Sequence, residues 1–154
     1  MNREEAKLKA AVFLDHLSIK GYEWEENAED LEDQIENNRV AYKIKKIDRP
    51  LPEVMLVDYQ KLSFNQGITF DKEAKNNFPE LYKIVNDFNQ VGIVRYAVYL
   101  DHPTAPDGLY LSALYWGGYD KSLFDYFLGH WEYGSLEIFR DNIDLLDSIP
   151  ELIY

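Results

Sequence analysis

The residues best suited to chemistry are His102 and its acidic neighbours Asp101 and Asp107, in and beside the segment "HPTAPDG". An imidazole beside two carboxylates is a set that general acid–base catalysis uses. The same segment holds two prolines and a glycine, a composition typical of a surface turn, which is the interpretation we favour. Of the other histidines, His16 and His130 fall on predicted helices. His16 has no partner nearby in the sequence, so we expect it at the surface or at the core boundary.

Several common catalytic, phosphate-binding and metal-binding motifs are absent from the chain. The sequence contains no HExxH, P-loop, GxSxG or GxGxxG pattern. It has no cysteine, which excludes disulfides, thiolate metal sites and cysteine nucleophiles. The many carboxylates leave a glycosidase-like pair of acids open. We therefore predict a protein that is not an enzyme and that needs no cofactor and no metal.

An acidic stretch follows the first predicted helix. The segment "YEWEENAEDLEDQIENN", residues 22–38, holds eight carboxylates and no basic residue. An EF-hand calcium loop needs a glycine at its sixth position and ligands at alternate positions, and the segment has neither. Because Tyr22 and Trp24 alternate with acids, we predict a short first strand that leads into a solvated loop.

Length, composition and charge limit the class of protein. A chain of 154 residues with 46% hydrophobic residues is long enough for one globular domain, which we place at 1–154. The net charge of −12 repels phosphates, so we expect no nucleic-acid partner. Charges interrupt the apolar positions of the N-terminus, and no apolar run approaches the roughly 18 residues of a membrane span. These features predict no membrane contact and a cytoplasmic location.

Hydrophobic periodicity predicts an α+β fold with an antiparallel sheet of about five strands and helices packed on it. The predicted order is α-β-β-β-α-β-β-α. We expect a helix over 3–19, a first strand from Tyr22, and a loop in "FNQGITFD" (64–71). A second helix begins near Pro79, and a last helix follows Gly118, with a kink or split at Gly134 and Ser135. The remaining predicted strands are residues 40–47, 53–60, 93–101 and 108–116.

The last two predicted strands form a hairpin whose side chains divide between two faces of the sheet. We expect the helices to cover the face that carries Val94, Tyr96, Val98, Leu100, Leu109, Leu111 and Ala113. The opposite face is rich in aromatic and basic residues, which are enriched at protein interfaces. Its candidate partner-binding residues are Lys43, Lys45, Arg95, Tyr99, Tyr110, Leu114 and Trp116. A second copy of the chain, as in a homodimer, another protein, or the chain's own segment after Ser135 could cover this face.

Four short segments lie at the ends of predicted elements: "NDFN" at 86–89, "YLD" at 99–101, "DG" at 107–108 and "WGGYDKS" at 116–122. Together they resemble the YbjN family of bacterial sensory-transduction regulators. The resemblance follows the order of elements over most of residues 5–140. It implies a fold similar to that of type III secretion chaperones and a protein-binding or regulatory role, and the family offers no established catalytic residues to carry over to this chain.

A second class of function fits the acidic character of the chain. An acidic inhibitor, such as an immunity protein that neutralises a toxin, uses carboxylates against a basic active site, and electrostatic attraction favours such a pair. The carboxylates we would assign to that contact are Glu25, Glu26, Glu29 and Asp30. The two hypotheses therefore place the binding energy on different surfaces.

Overall fold

The chain adopts an α+β fold with an antiparallel sheet of six strands. The computed structural model describes residues 2–49, 53–69, 83, 85–87, 89, 92–99, 101–104 and 106–141. Residues 83 and 85–87 are helical. The other elements, in chain order, are α1 (Arg3–Ile19), β1 (Tyr22–Glu26), α2 (Leu31–Glu36), β2 (Val40–Lys46), β3 (Glu53–Val57), β4 (Lys61–Thr69), β5 (Arg95–Tyr99), β6 (Gly108–Trp116) and α3 (Lys121–Asp141).

The strand order in the sheet is β1-β2-β3-β4-β6-β5. The pairs β1–β2, β2–β3, β3–β4 and β5–β6 are antiparallel. The predicted class and the predicted antiparallel hairpin of the last two strands are confirmed. The predicted count of about five strands is one too low, and β4 is the strand that the count lacks.

Strand β4 replaces the loop that we predicted for residues 64–71. Leu62 and Phe64 are fully buried on one face, while Ser63 and Asn65 pair with Leu56 and Val54 of β3 on the other. Asparagine, glutamine and glycine are depleted in strands or neutral, so the segment "FNQG" does not show the alternation of apolar and polar residues that is typical of a strand. Here the pairing with β3 outweighs the weak local preference. Residues 70 and 71 lie outside the described residues.

Helix α1 has the bounds that the sequence predicts. Its start is closed by a capping box, in which Asn2 Oδ1 accepts the Glu5 N–H at 3.0 Å and Glu5 Oε2 accepts the Asn2 N–H at 2.7 Å. Ala6, Ala10, Phe13 and Leu17 recur at helical spacing and are fully buried. The helix ends just before Gly21, as predicted.

The acidic segment after β1 is not a continuous loop, because residues Leu31–Glu36 form the short helix α2. Gln34 of α2 is buried, and its side-chain amide joins three backbone groups. Nε2 donates to the carbonyls of Asn27 and Glu29, both at 2.8 Å, and Oε1 accepts the Ala41 N–H at 3.0 Å. These bonds hold α2 against the ends of β1 and β2.

The chain groups into two compact units. The first unit comprises the described residues up to Gln66 and Leu114–Tyr126. The second comprises those of Gly67–Ala113 and those from Phe127 onward. In the first unit, the ring of Phe13 makes edge-to-face contacts with Tyr115, Tyr119 and Phe124. The expectation of one domain over residues 1–154 stays a prediction.

In the second unit, most of the face of β5 and β6 that we predicted to be covered is buried. Val94, Tyr96, Leu109, Leu111 and Ala113 are buried. Val98 of the same face is half-buried, and Leu100 lies outside the described residues. The register pairs Tyr96 with Leu111, as expected for two strands that share one buried face.

Helix α3 is continuous through Gly134 and Ser135, so the predicted split at these residues is wrong, whereas the predicted kink stays a prediction. Gly134 serves a different purpose, because a Cβ atom there would lie 2.8 Å from Val94 Cγ2. The glycine therefore allows the helix to approach β5 closely. The Tyr96 hydroxyl also donates a hydrogen bond to the Gly134 carbonyl.

The helix predicted from Pro79 is described only at residue 83 and residues 85–87, where it is helical. Val85 is buried, as its place on the apolar stripe predicts. The other positions of that stripe lie outside the described residues. No helix in the described part of the chain combines the length and the apolar character that crossing a membrane requires.

Candidate functional site

Among the strand residues whose exposure the structure describes, the most exposed apolar side chains belong to the end of β6 in the first unit. Ala113 and Tyr115 are buried, so the alternation of the strand turns Leu114 and Trp116 to the opposite face. Leu114 is 45% exposed and Trp116 is 60% exposed. The Lys61 ammonium of β4 lies 5.6 Å from the centre of the Trp116 ring, within the range of a cation–π contact. We call Lys61, Leu114 and Trp116 the Trp116 patch.

The two predicted site lysines of β2 also belong to the first unit, but β1 balances their charge. Lys45 lies opposite Glu23, and Lys43 lies opposite Glu25. Lys43 Nζ is also 3.2 Å from Glu29 Oε1. The sequence analysis counted Lys43 and Lys45 as basic residues of the sheet face, whereas the register gives each an acid on the same face. The basic residue in contact with the exposed tryptophan is Lys61, which the sequence analysis missed.

The remaining aromatic site residues form a cluster in the second unit. The Tyr99 ring stacks on His102, with centroids 4.8 Å apart and planes at 28°. It also contacts the Tyr110 ring at 4.8 Å. We call Tyr99, His102 and Tyr110 the Tyr99 cluster. Tyr99 is 37% exposed, whereas Tyr110 is half-buried.

Local contacts hold Tyr110 in place. Its hydroxyl donates to the Pro106 carbonyl at 2.8 Å. Its ring packs closely on Gly67, since a Cβ atom at that residue would lie only 3.2 Å from Tyr110 Cε1. Burial raises the pKa of Tyr110 above its usual value, and the neighbouring Tyr99 and Asp107 add to the effect. The phenol is therefore a neutral hydrogen-bond donor, and its polar group is already used within the unit.

Arg95, the basic residue predicted for this face, is exposed, but its side chain is hydrogen-bonded to backbone carbonyls just before it in the chain. Its Nη1 donates to the Gly92 carbonyl at 2.7 Å and to the Val94 carbonyl at 3.3 Å. The structure thus brings Leu114 together with Trp116 in one unit and Tyr99 together with Tyr110 in the other. Lys43 and Arg95 have local partners, and Lys45 lies opposite Glu23 in the register.

The catalytic candidate His102 has the contacts of a turn residue. His102 Nδ1 accepts the Thr104 N–H at 3.2 Å, and Asp107 Oδ1 accepts the Asp101 N–H at 2.8 Å. Asp101 has a positive φ of 51°, as tight turns often require. These bonds close the connection between β5 and β6 and agree with the turn interpretation.

His16 is buried, so the prediction of a surface or boundary histidine is wrong. Its side chain is 4% exposed. Nδ1 lies 2.8 Å from the Tyr119 hydroxyl, and Nε2 lies 2.6 Å from Asp125 Oδ1. Both partners are more than 100 residues away in the chain, so no local spacing signals the contact. The cluster ties α1 to the start of α3 in the first unit.

The electrostatics of this cluster favour the charged carboxylate. Lys20 Nζ lies 3.2 Å from Asp125 Oδ1. Hydrogen bonds from Lys20 and then from His16 hold the pKa of Asp125 below its usual value. At neutral pH Asp125 of α3 is therefore a carboxylate that accepts bonds from His16 of α1 and from Lys20 at the end of α1, which makes it a structural tie between the two helices.

The acidic residues proposed for an inhibitory contact differ in their surroundings. Glu26 pairs with Arg3 and Lys7 of α1, and the hydrogen bond from Arg3 lowers the pKa of Glu26 most. Glu29 pairs with Lys43. Two of the four proposed carboxylates are thus engaged within the first unit. Glu25 is exposed beside Lys43, and Asp30 is exposed at the start of α2.

Among the described residues, no three or more His, Asp or Glu side chains come together in a way that could hold a metal ion. Comparisons of the chain with protein families, with curated proteins and with solved structures find no match. Proposals about its function therefore depend on the geometry above.

Proposed function

We propose that the chain is a non-catalytic protein-binding module, of a regulatory or chaperone-like kind, that contacts its partner through the Trp116 patch. The observation that carries the proposal is the exposure of Leu114 and Trp116 side by side on one face of the sheet. Tryptophan is among the residues that contribute most to protein interfaces when a partner buries it. Nothing in this proposal requires a bond to be made or broken.

The contacts of Trp116 support a binding role over a packing role. Lys61 covers one side of the ring, which leaves most of the indole accessible. A cation–π contact at an exposed site contributes only about 0.5–1 kcal/mol, so burial by a partner would add a larger gain. The resemblance to the YbjN family, with its chaperone-like fold, points to the same role.

The test compares capture of proteins by three forms of the full chain. The Leu114→Ser/Trp116→Ser variant removes the patch, and the Leu8→Ser/Ile19→Ser variant makes a similar change on the exposed side of α1. Circular dichroism first checks that all three are folded. A protein held by the wild type and by the α1 variant, but bound at least about thirtyfold more weakly by the patch variant, supports the proposal. Equal capture by all three forms contradicts it.

Light scattering after size exclusion tests whether the partner is a second copy. A wild-type mass twice that of the 18.1 kDa chain, reduced to a monomer in the patch variant, assigns the patch to self-association. A monomeric wild type directs the search to another protein. A dimer that persists in the folded patch variant rules out the patch as the dimer contact.

The acidic inhibitor is the alternative, and the exposure of Glu25 and Asp30 is the observation that favours it. Neutralising Glu25, Glu26, Glu29 and Asp30 together should abolish binding to a basic partner and leave binding through the Trp116 patch intact. If the neutralised variant keeps every interaction of the wild type, the inhibitor hypothesis loses its support.

A further inference from the structure

Strand β1 is at one end of the strand order, so one of its long edges is an edge of the sheet. Four of its five residues, Glu23–Glu26, are exposed. Edge strands offer backbone groups to a further strand, and proteins protect such edges with charges or covering segments. These four residues stay exposed although α1 contacts two of them, through the ion pairs of Arg3 and Lys7 with Glu26 and the hydrogen bond from Trp24 Nε1 to Ser18 Oγ at 3.2 Å.

The hydrogen-bond pattern tells which backbone groups of β1 point outward. Asn27 N–H donates to the Ala41 carbonyl at 2.8 Å, and this pair continues the register of β1 with β2. In an antiparallel pair, alternate residues turn both backbone groups toward the partner strand. Glu25 and Glu23 therefore face β2, as Asn27 does. The N–H and carbonyl groups of Trp24 and Glu26 point away from it, toward the open edge.

The side chains of β1 indicate what kind of strand would fit that edge. On the inner side, β1 pairs with the triplet Lys43-Ile44-Lys45, with Glu25 opposite Lys43, Trp24 opposite Ile44 and Glu23 opposite Lys45. A strand on the outer side would meet the same three side chains. Opposite charges directly across a strand pair are favourable, and like charges are unfavourable.

A second copy of β1 is a poor occupant for this edge. Two antiparallel β1 strands related by a twofold axis at Trp24 would place Glu23 of each copy opposite Glu25 of the other. Such an arrangement brings two pairs of like charges together at a molecule that already has a net charge of −12. Charge complementarity instead favours a cationic strand.

We propose that the outer edge of β1 binds an extended segment of a partner protein in which basic side chains alternate with apolar ones. The incoming strand adds to the sheet through the backbone groups of Trp24 and Glu26. Its basic side chains face Glu23 and Glu25, and an apolar side chain between them packs on Trp24, which is 44% exposed. Glu26 takes no part through its side chain, since Arg3 and Lys7 already hold it. The surface is separate from the Trp116 patch.

The test uses two fluorescent peptides of the same composition and charge. One alternates lysine and valine, and the other carries the lysines in one block and the valines in another. Fluorescence anisotropy measures the binding of each to the wild-type chain at two salt concentrations. The alternating peptide should bind more tightly than the block peptide, and its binding should weaken with salt. Equal binding of the two peptides, or no binding of the alternating one, overturns the proposal.

Matched variants locate the site. Glu23→Gln/Glu25→Gln should weaken binding of the alternating peptide by about tenfold, from two lost cross-strand charge pairs. Glu32→Gln/Glu36→Gln makes the same change in charge on α2, where both residues are exposed, and should change binding less than twofold. If both pairs weaken binding equally, the peptide binds by overall charge alone and the proposal fails.

Hydrogen exchange of the Trp24 amide tests the mode of binding. Addition of a strand should slow the exchange of this amide in the complex, because its N–H gains a partner. Unchanged exchange at saturating peptide contradicts strand addition. The Leu114→Ser/Trp116→Ser variant should bind the alternating peptide as the wild type does. If it alone loses the peptide, the edge proposal fails and the proposal for the Trp116 patch stands.

Discussion

The buried amide of Gln34 gives a prediction whose magnitude the structure sets. Replacing Gln34 by leucine keeps a similar volume but removes the bonds to the Asn27 carbonyl, the Glu29 carbonyl and the Ala41 N–H. Asn27 is 7% exposed and Ala41 is 3% exposed, so water does not readily replace those two bonds. The Glu29 carbonyl belongs to an exposed residue and can regain a water partner.

Each buried polar group that loses its partner costs about 1–3 kcal/mol. Two such groups, less a gain of about 1 kcal/mol from burying the leucine side chain, give an expected loss near 3 kcal/mol in the free energy of unfolding. Urea unfolding followed by circular dichroism measures this loss. The midpoint should fall by on the order of 1 M or more, with the slope unchanged.

Gln60→Leu is the matched control for this change. Gln60 lies exposed in the turn between β3 and β4, so its replacement should alter stability by less than about 0.5 kcal/mol. A Gln34→Leu variant as stable as Gln60→Leu would refute the reasoning, because the amide would then contribute nothing to holding α2 on the strands.

Three further predictions concern the packing and ionisation of other residues. Phe13→Ala should cost about 3–5 kcal/mol and lower the melting temperature by roughly 10 °C in calorimetry, and a fall under about 3 °C contradicts this. Gly134→Ala should lower the free energy of unfolding by about 1–2 kcal/mol, although alanine favours the helix more than glycine does. In a double-mutant cycle, the cost of Gly134→Ala should disappear when Val94 is also replaced by alanine. A Gly134→Ala variant more stable than the wild type refutes the close contact between Gly134 and Val94. The pKa of Asp125 is lowered by folding, so its contacts stabilise the chain above the ordinary carboxyl pKa, and this contribution is lost as pH falls through the lowered value. The stability difference between the wild type and Asp125→Asn, from urea unfolding at several pH values, should therefore shrink in acid, and a constant difference contradicts the shift.

The sequence predicts the elements whose periodicity is regular. Helix α1 and strands β2 and β6 have clear apolar patterns, and their observed bounds agree with the predicted ones to within a residue. The buried face of β5 and β6 could also be predicted, because strict alternation divides a strand between two faces. Strand β4 could not, since Asn65, Gln66 and Gly67 do not favour strands and the segment is held by pairing with β3.

The candidate site shows the same division between local and distant information. Alternation along β6 was enough to place Leu114 and Trp116 on the open face, and both are exposed. The neighbours of the predicted basic residues depend on register, which sequence alone does not fix. Thus the acids opposite Lys43 and Lys45 were missed. The partners of His16 come from distant residues, so its burial had no local signal.

The central claim is that the Trp116 patch contacts another protein, and site-specific photocrosslinking tests it most directly. The photoreactive residue benzoylphenylalanine replaces Trp116 in one form of the full chain and Leu8, exposed on α1, in a control form. Each form is irradiated in cells that naturally produce the protein. We predict a discrete adduct from position 116, at twice the 18.1 kDa mass of the chain for self-association or at another defined mass for a different partner, and no such adduct from position 8. A folded chain that gives no discrete adduct from position 116, or the same adducts from both positions, would contradict the claim.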